Sequence, residues 1–147
     1  MSVIDFEPVI LVVDDDPDVL ELLGMRIELL VPLKVIKETS PGKALEILKA
    51  RDIPIVITDI NMPEMSGVDL LRRINALLKG VQVIVMTAGT STMNSIECFQ
   101  QGASDFLIKP FIDEDIKKVL VSAKDRFERW RHFIHSRKVG EGLFRDA

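Results

Sequence analysis

The sequence is poor in cysteine and contains no long apolar run, and each absence excludes a class of protein. Cys98 is the one cysteine among 147 residues, so an internal disulfide is impossible and a reducing, cytoplasmic setting is expected. No apolar run approaches the roughly 18 residues of a membrane span. Residues 1–8 also lack the basic region and long apolar stretch of a signal peptide. We therefore expect one globular, cytoplasmic domain that does not bind a membrane.

Charge is unevenly distributed along the chain. Residues 1–110 carry 10 Lys and Arg against 16 Asp and Glu, a net charge of −6. Residues 111–147 carry 9 against 7, a net charge of +2. The acidic major part argues against direct binding of nucleic acid by this domain.

Five short apolar segments alternate with five amphipathic segments. The apolar segments predict strands at residues 9–13, 33–36, 55–57, 81–86 and 106–108. Asp16-Pro17 and Ser40-Pro41 each place a helix N-cap before a proline at the first helical position. Lys79-Gly80 is expected to end the third helix. Strict alternation predicts an α/β fold, a flavodoxin-like doubly wound five-stranded parallel sheet of order 2-1-3-4-5 with helices on both faces. The last helix is extended.

Four of the five predicted strands end in polar side chains. Asp14 and Asp15 follow the first strand, Asp59 the third, Thr87 the fourth and Lys109 the fifth. The carboxyl ends of parallel strands share one edge of the sheet, where ligands bind. Three carboxylates in one pocket raise each other's pKa unless a cation is present, and Mg2+ with oxygen ligands relieves that repulsion. A carboxylate nucleophile, Mg2+, a lysine and a hydroxyl suffice to transfer a phosphoryl group onto an aspartate.

Each of these residues also has an ordinary structural interpretation. Taken alone, the first aspartates could complement a helix dipole, and Asp59 could be a turn residue or a helix cap. Thr87 could likewise lie in a turn, and Lys109 could be a solvated surface residue. Their joint arrival at one sheet edge favours the functional interpretation.

The chain resembles the receiver domain of bacterial two-component response regulators over roughly residues 7–124. The matching segments follow the family's order and spacing; they are residues 10–16, 58–63 with Ser66-Gly67, 86–88, and 102–111. Any one of these motifs is weak, but together they are specific.

The resemblance implies a role for each matching residue. Asp59 would accept a phosphoryl group from the phosphohistidine of a sensor histidine kinase or a phosphotransfer protein. Asp14 and Asp15 would hold Mg2+, Asp15 most directly, together with Asp59 and the backbone carbonyl of Asn61. Lys109 would pair with the phosphoryl oxygens.

The resemblance also implies a conformational switch. Thr87 would move to hydrogen-bond the phosphoryl group, and Phe106 would rotate into the vacated space and change the surface of the fourth helix, fifth strand and fifth helix. The family often has tyrosine where Phe106 stands, so a hydrogen bond from this ring to a partner is excluded. The Lys109-Pro110 bond resembles one that is often cis, and Asn61 and Gly89 occupy positions that tune dephosphorylation. Such a domain is a signalling switch rather than an enzyme.

Two other functions are open to this sequence. Asp14-x-Asp16 resembles haloacid-dehalogenase-type phosphatases, in which Asp14 would be the nucleophile and Asp16 the general acid and base. The chain lacks a cap insertion, however, and Asp113-Glu114-Asp115 falls at a predicted helix start rather than forming the second acidic pair of those enzymes. The other alternative is an interaction domain that never turns over phosphate.

The last predicted helix is longer than a receiver domain needs. We therefore expect a receiver domain at 7–124, a helical extension at 125–139 and a flexible tail at 140–147, begun by Gly140-Glu141-Gly142. An apolar stripe at heptad-like spacing predicts a dimer stalk or a linker helix, or else a helix folded back on its own domain; it comprises Ile116, Leu120, Ala123, Phe127, Trp130 and Ile134. A homodimer could form through this helix or through the fourth-helix, fifth-strand and fifth-helix face.

Overall fold

A computed structural model describes residues 6–88 and 92–145 as five strands alternating with five helices. The strands are β1 Val9–Val13, β2 Lys34–Glu38, β3 Ile55–Asp59, β4 Gln82–Ala88 and β5 Asp105–Lys109. The helices are α1 Pro17–Leu30, α2 Pro41–Ala50, α3 Gly67–Ala76, α4 Thr92–Gln100 and α5 Asp113–Arg145. All neighbouring strands are parallel, in the order β2-β1-β3-β4-β5. The predicted flavodoxin-like fold is confirmed.

The sheet is buried on both faces, which explains its nearly continuous apolar strands. Every residue of β1 and of β3 is buried. Leu11 and Val13 face a core shared with α2, α3 and α4, whereas Ile10 and Val12 face a second core shared with α1 and α5. Helices on both faces are what a parallel sheet requires. The first two predicted N-caps are also confirmed, because Asp16 accepts from the Asp18 N–H and Ser40 from the Lys43 N–H.

The helix α3 ends earlier than Lys79-Gly80 predicted. The Leu77 and Leu78 N–H groups donate to the carbonyls of Ile74 and Asn75, three residues back, and Leu78 then adopts a positive φ of 55°. This tightened last turn ends the helix at Ala76. Lys79 instead donates from Nζ to the Leu48 carbonyl oxygen at 2.8 Å, so it satisfies the C-terminus of α2.

The helix α5 continues through the glycines at which the sequence predicted its end. It runs from Asp113 to Arg145, 33 residues, or about 50 Å at 1.5 Å per residue. The prediction of a helix end at Gly140 is wrong. Glycine weakens a helix interior by about 1 kcal/mol relative to alanine but keeps its N–H, so it does not force termination as proline does. Residues 146–147 of the predicted tail lie outside the described residues.

The apolar stripe of α5 packs against its own domain as far as Trp130. Phe127 is 3% exposed, and its ring centroid lies 4.3 Å from that of Phe6 in an edge-to-face arrangement. The Trp130 ring lies over Gly80, where an added Cβ would collide with it. Ile134 lines a groove with Trp130 at the end of the sheet opposite Asp59. This is the arrangement expected of a helix folded back on its own domain.

Within the described part of the chain, the structure has no helix with the length and hydropathy that crossing a membrane requires.

Candidate functional site

Asp59 occupies the carboxyl end of β3, between the ends of β1 and β4. It is paired in register with Met86 of β4, while Thr58 pairs with Val13 of β1. The Ile60 N–H donates to the Met86 carbonyl at 3.1 Å. The strand is therefore held on both sides up to the carboxylate, which is 9% exposed. The apolar run predicted a strand over residues 55–57, and the structure extends this strand through Asp59.

Gly67 allows the start of α3 to approach Asp59 closely. Its N–H donates to the Ile60 carbonyl at 2.8 Å. A Cβ at this position would lie 2.6 Å from the Asp59 carbonyl oxygen and 2.6 Å from Ile60 Cα. Both neighbours are backbone atoms that cannot rotate away. The sequence showed Ser66-Gly67 as part of a motif, but its spacing gave no sign of this steric role.

Three carboxylates converge at this edge of the sheet, as the sequence predicted. Asp14, Asp15 and Asp59 each offer an oxygen, and these oxygens lie within 4.8 Å of one another. Asp14 is 3% exposed, and its Oδ1 accepts from the Asp16 N–H at 2.9 Å. Its Oδ2 is buried and has no hydrogen-bond partner among residues 6–88 and 92–145.

The electrostatics of the cluster favour a bound cation. Burial raises the pKa of Asp14, and the negative charges of Asp59 and Asp15 raise it further, against the opposing effects of the Asp16 N–H and Lys109. A buried carboxylate oxygen without a donor is costly. Oxygen ligands with excess negative charge are the set that hard cations such as Mg2+ prefer. The residues present therefore fit a Mg2+ site.

Lys109 supplies the positive charge that the protein itself brings to the cluster. Its Nζ lies 3.1 Å from Asp59 Oδ1, and its side chain is 39% exposed. The Lys109-Pro110 peptide bond is cis, which confirms the prediction. Lys109 thus joins the fifth strand to the third across the crevice, and its side chain remains partly open to solvent.

The structure places three other predicted residues near this crevice but outside the carboxylate cluster. Thr87 is 2% exposed, and its hydroxyl donates to the Ala88 carbonyl oxygen at 3.0 Å. Phe106 is half-buried and packs against the core shared with α2, α3 and α4. Asn61 is exposed in the loop after β3. Gly89 lies outside the described residues.

Asp16 points away from the cluster despite its place in the run of three aspartates. Its Oδ1 accepts from the Asp18 N–H at 2.9 Å and caps α1. A helix cap requires the Asp16 carboxylate to face the first turn of α1, whereas the phosphatase alternative requires it to face the site beside Asp14. As a helix cap, Asp16 cannot serve in this conformation as the general acid and base beside Asp14.

Comparison with known proteins agrees with this geometry. The family model of the response regulator receiver domain matches residues 10–121. The chain belongs to that family. The predicted resemblance is confirmed, and the domain is the receiver type of two-component signal transduction.

Characterised relatives include regulators of transcription. The chain is 35% identical over 134 residues to the transcriptional regulatory protein GlrR of Escherichia coli K12, covering 87% of this chain and 30% of GlrR. It is 38% identical over 105 residues to the transcriptional regulatory protein FixJ of Azorhizobium caulinodans, covering 71% of this chain and 49% of FixJ. The match thus spans less than half of either relative.

A solved structure gives the same fold over almost its whole length. The receiver domain protein from Clostridium thermocellum superimposes with a TM-score of 0.77 at 30% identity. The superposition covers 82% of this chain and 97% of that one. The helix α5 extends beyond the family match, which ends at residue 121.

Proposed function

We propose that this receiver domain accepts a phosphoryl group on Asp59 from the phosphohistidine of a histidine kinase or a phosphotransfer protein. The observation that supports it is the setting of the Asp59 carboxylate at the end of β3. Lys109 Nζ lies 3.1 Å from Asp59 Oδ1, and the oxygens of Asp14 and Asp15 lie within 4.8 Å. The role is that of a phosphoacceptor, not of an enzyme acting on a separate substrate.

The transfer asks the protein mainly for position and charge. An Asp59 oxygen forms the new O–P bond while the P–N bond of the donor phosphohistidine breaks, and the donor leaves as imidazole. The Lys109 ammonium already lies beside Asp59. It would stabilise the negative charge of the phosphoryl oxygens during the transfer. The half-exposed position of Lys109 leaves room for a donor to approach from solvent.

The acidic cluster would provide the binding site for the Mg2+ ion that the reaction requires. Asp14 and Asp15, with Asp59 and the backbone carbonyl of Asn61, would hold Mg2+. When bound, Mg2+ offsets the charge of the carboxylates and of the phosphoryl oxygens. The unpaired Oδ2 of Asp14 supports this assignment, because it is a buried ligand atom without a protein donor among the described residues.

Thr87 and Phe106 form the proposed switch. Thr87 would exchange its present hydrogen bond to the Ala88 carbonyl for one to the phosphoryl group, and Phe106 would move further into the core. The face that responds is built by α4, β5 and α5. It already exposes large apolar side chains, which suits a protein partner or a second copy; they are Ile96, Phe99, Ile108 and Val121, 48–70% exposed.

The part of α5 beyond Trp130 is proposed to be a linker to an output module or partner, since the helix up to Trp130 packs against its own domain. Among residues 125–136, whose side chains the structure describes, each of the three arginines lies near an acidic side chain. Arg126 lies 3.8 Å from Asp105, Arg129 pairs with Asp125 and Arg131 with Glu128. These ion pairs weigh against nucleic acid as the ligand of this part of α5, since phosphate binding relies on uncompensated Lys and Arg.

The proposal is tested by incubating the protein with Mg2+ and acetyl phosphate. We expect the wild type to gain one phosphoryl group and the Asp59→Asn variant to gain none. Asp16→Asn is the matched control, because asparagine caps a helix as well as aspartate does. Unchanged incorporation in Asp59→Asn would refute the assignment. A phosphate-independent interaction domain would instead keep its signalling output in that variant.

A further inference from the structure

The loop between β3 and α3 is tied to the start of α2 by Glu64. The Ser40 hydroxyl lies 3.1 Å from both carboxylate oxygens of Glu64. An added Cβ on Gly42 would lie 3.0 Å from Glu64 Oε1. The carboxylate therefore rests over the first turn of α2, where the helix dipole favours negative charge.

The same helix start is linked to the loop that carries Asp14 and Asp15. The Ser40 N–H donates to Glu38 Oε2 at 2.9 Å. The Asp14 N–H donates to the Glu38 carbonyl oxygen at 3.2 Å. A continuous set of hydrogen bonds thus runs from Asp14 through Glu38 and Ser40 to Glu64.

The remaining anchors of the β3–α3 loop lie at its ends and its base. Ile60 is bonded to Met86 and Gly67 to Ile60, the Met62 side chain is 8% exposed within the core, and Met65 packs partly buried against the same core. Asn61 is exposed, and Pro63 has no N–H to donate. The contact of Glu64 with Ser40 adds to these anchors the direct polar tie between the outer part of the loop and the start of α2.

We infer that Glu64 is a positioning residue for the metal ligands. It holds the β3–α3 loop, and with it the Asn61 carbonyl, at a fixed distance from Asp14 and Asp15. The inference rests on the proposed function, in which these groups share one Mg2+ ion. Because the contact is solvent-exposed, its loss should weaken Mg2+ binding only about three- to fivefold.

The test measures the Mg2+ dissociation constant of the unphosphorylated protein by amide NMR shifts. Glu64→Ala removes the contact, and Glu46→Ala removes an equally charged side chain from the exposed face of α2. Ser40→Asp is the decisive variant. Aspartate still caps α2, but it repels Glu64, so positioning predicts weaker Mg2+ binding. Added negative charge alone would tighten the binding.

We expect Glu64→Ala and Ser40→Asp to raise the dissociation constant about three- to fivefold. The melting temperature and the Glu46→Ala dissociation constant should stay near those of the wild type. Unchanged or tighter binding in Ser40→Asp would overturn the role of Glu64 while leaving Asp59 as the phosphoacceptor. If wild-type Mg2+ shifts avoid residues 14, 15 and 59, the proposed function itself fails.

Discussion

Replacing Asp14 by asparagine should stabilise the metal-free domain while impairing its chemistry. Asp14 is 3% exposed, and its pKa is raised by burial and by the neighbouring carboxylates. Asparagine keeps an acceptor for the Asp16 N–H, which Asp14 Oδ1 binds at 2.9 Å. It also replaces the charged, unpaired Oδ2 by a neutral amide group near the Asp59 carboxylate. The substitution thus removes one charge from three repelling carboxylates.

The size of the effect follows from the cost of an unsatisfied buried polar atom. That cost is about 1–3 kcal/mol, so we expect Asp14→Asn to raise the free energy of unfolding by about 1–2 kcal/mol without metal. For a domain of this size the melting temperature should rise by about 3–6 °C. In Mg2+ the wild type gains about 1.4 kcal/mol at ten times the dissociation constant. The variant has lost a ligand and should gain much less.

The assay is urea unfolding in EDTA and again in Mg2+. Asp16→Asn is the control, because it removes a neighbouring charge whose side chain caps α1 instead of facing the cluster. It should change the stability by less than about 0.5 kcal/mol. A lower stability of Asp14→Asn in EDTA, or equal stabilisation of both proteins by Mg2+, would refute the electrostatic account of the site.

Three further predictions concern α5 and the single thiol. Phe127→Ala should lower the free energy of unfolding by about 3–5 kcal/mol in chemical denaturation, whereas Val121→Ala, at an exposed site, should change it by about 0.5 kcal/mol or less. Gly80 has a φ of 71° and lies against the ring of Trp130, the single tryptophan. Gly80→Ala should therefore displace this ring and shift its fluorescence emission to longer wavelength. An unchanged emission spectrum would contradict the packing of Trp130 on Gly80. Burial raises the pKa of Cys98 to about 11 from 9.0, so native alkylation at pH 8 should be roughly a hundredfold slower than in urea. The folded state binds the Cys98 proton more tightly than the unfolded chain does. The stability that this thiol contributes is therefore complete below pH 9 and is lost as the pH rises towards 11.

The convergence of Asp14, Asp15, Asp59 and Lys109 was predictable because it depends on topology alone. Strict alternation of strands and helices makes the sheet parallel, and parallel strands bring their carboxyl ends to one edge. The sequence could not give the orientation of each side chain there. Thr87 is bonded to the Ala88 carbonyl, a choice between local acceptors that no sequence pattern encodes.

The packing of α5 was only half predictable. The spacing of Phe127 and Trp130 showed an apolar face but not what covers it. The cover comes from Phe6 near the start of the chain and from Gly80 before β4, contacts between segments far apart in sequence. The contact of Ser40 with Glu64 has no periodic signal either, because both residues are polar and neither belongs to an apolar stripe.

The central claim is that Asp59 carries the phosphoryl group, and mapping the acyl phosphate tests it most directly. The protein is phosphorylated with acetyl phosphate and Mg2+, the acyl phosphate is reduced with borohydride, and the modified residue is located by peptide mass spectrometry. The account predicts that the reduced residue is Asp59. Modification at Asp14, as a dehalogenase-type phosphatase would show, or at neither aspartate, would contradict it.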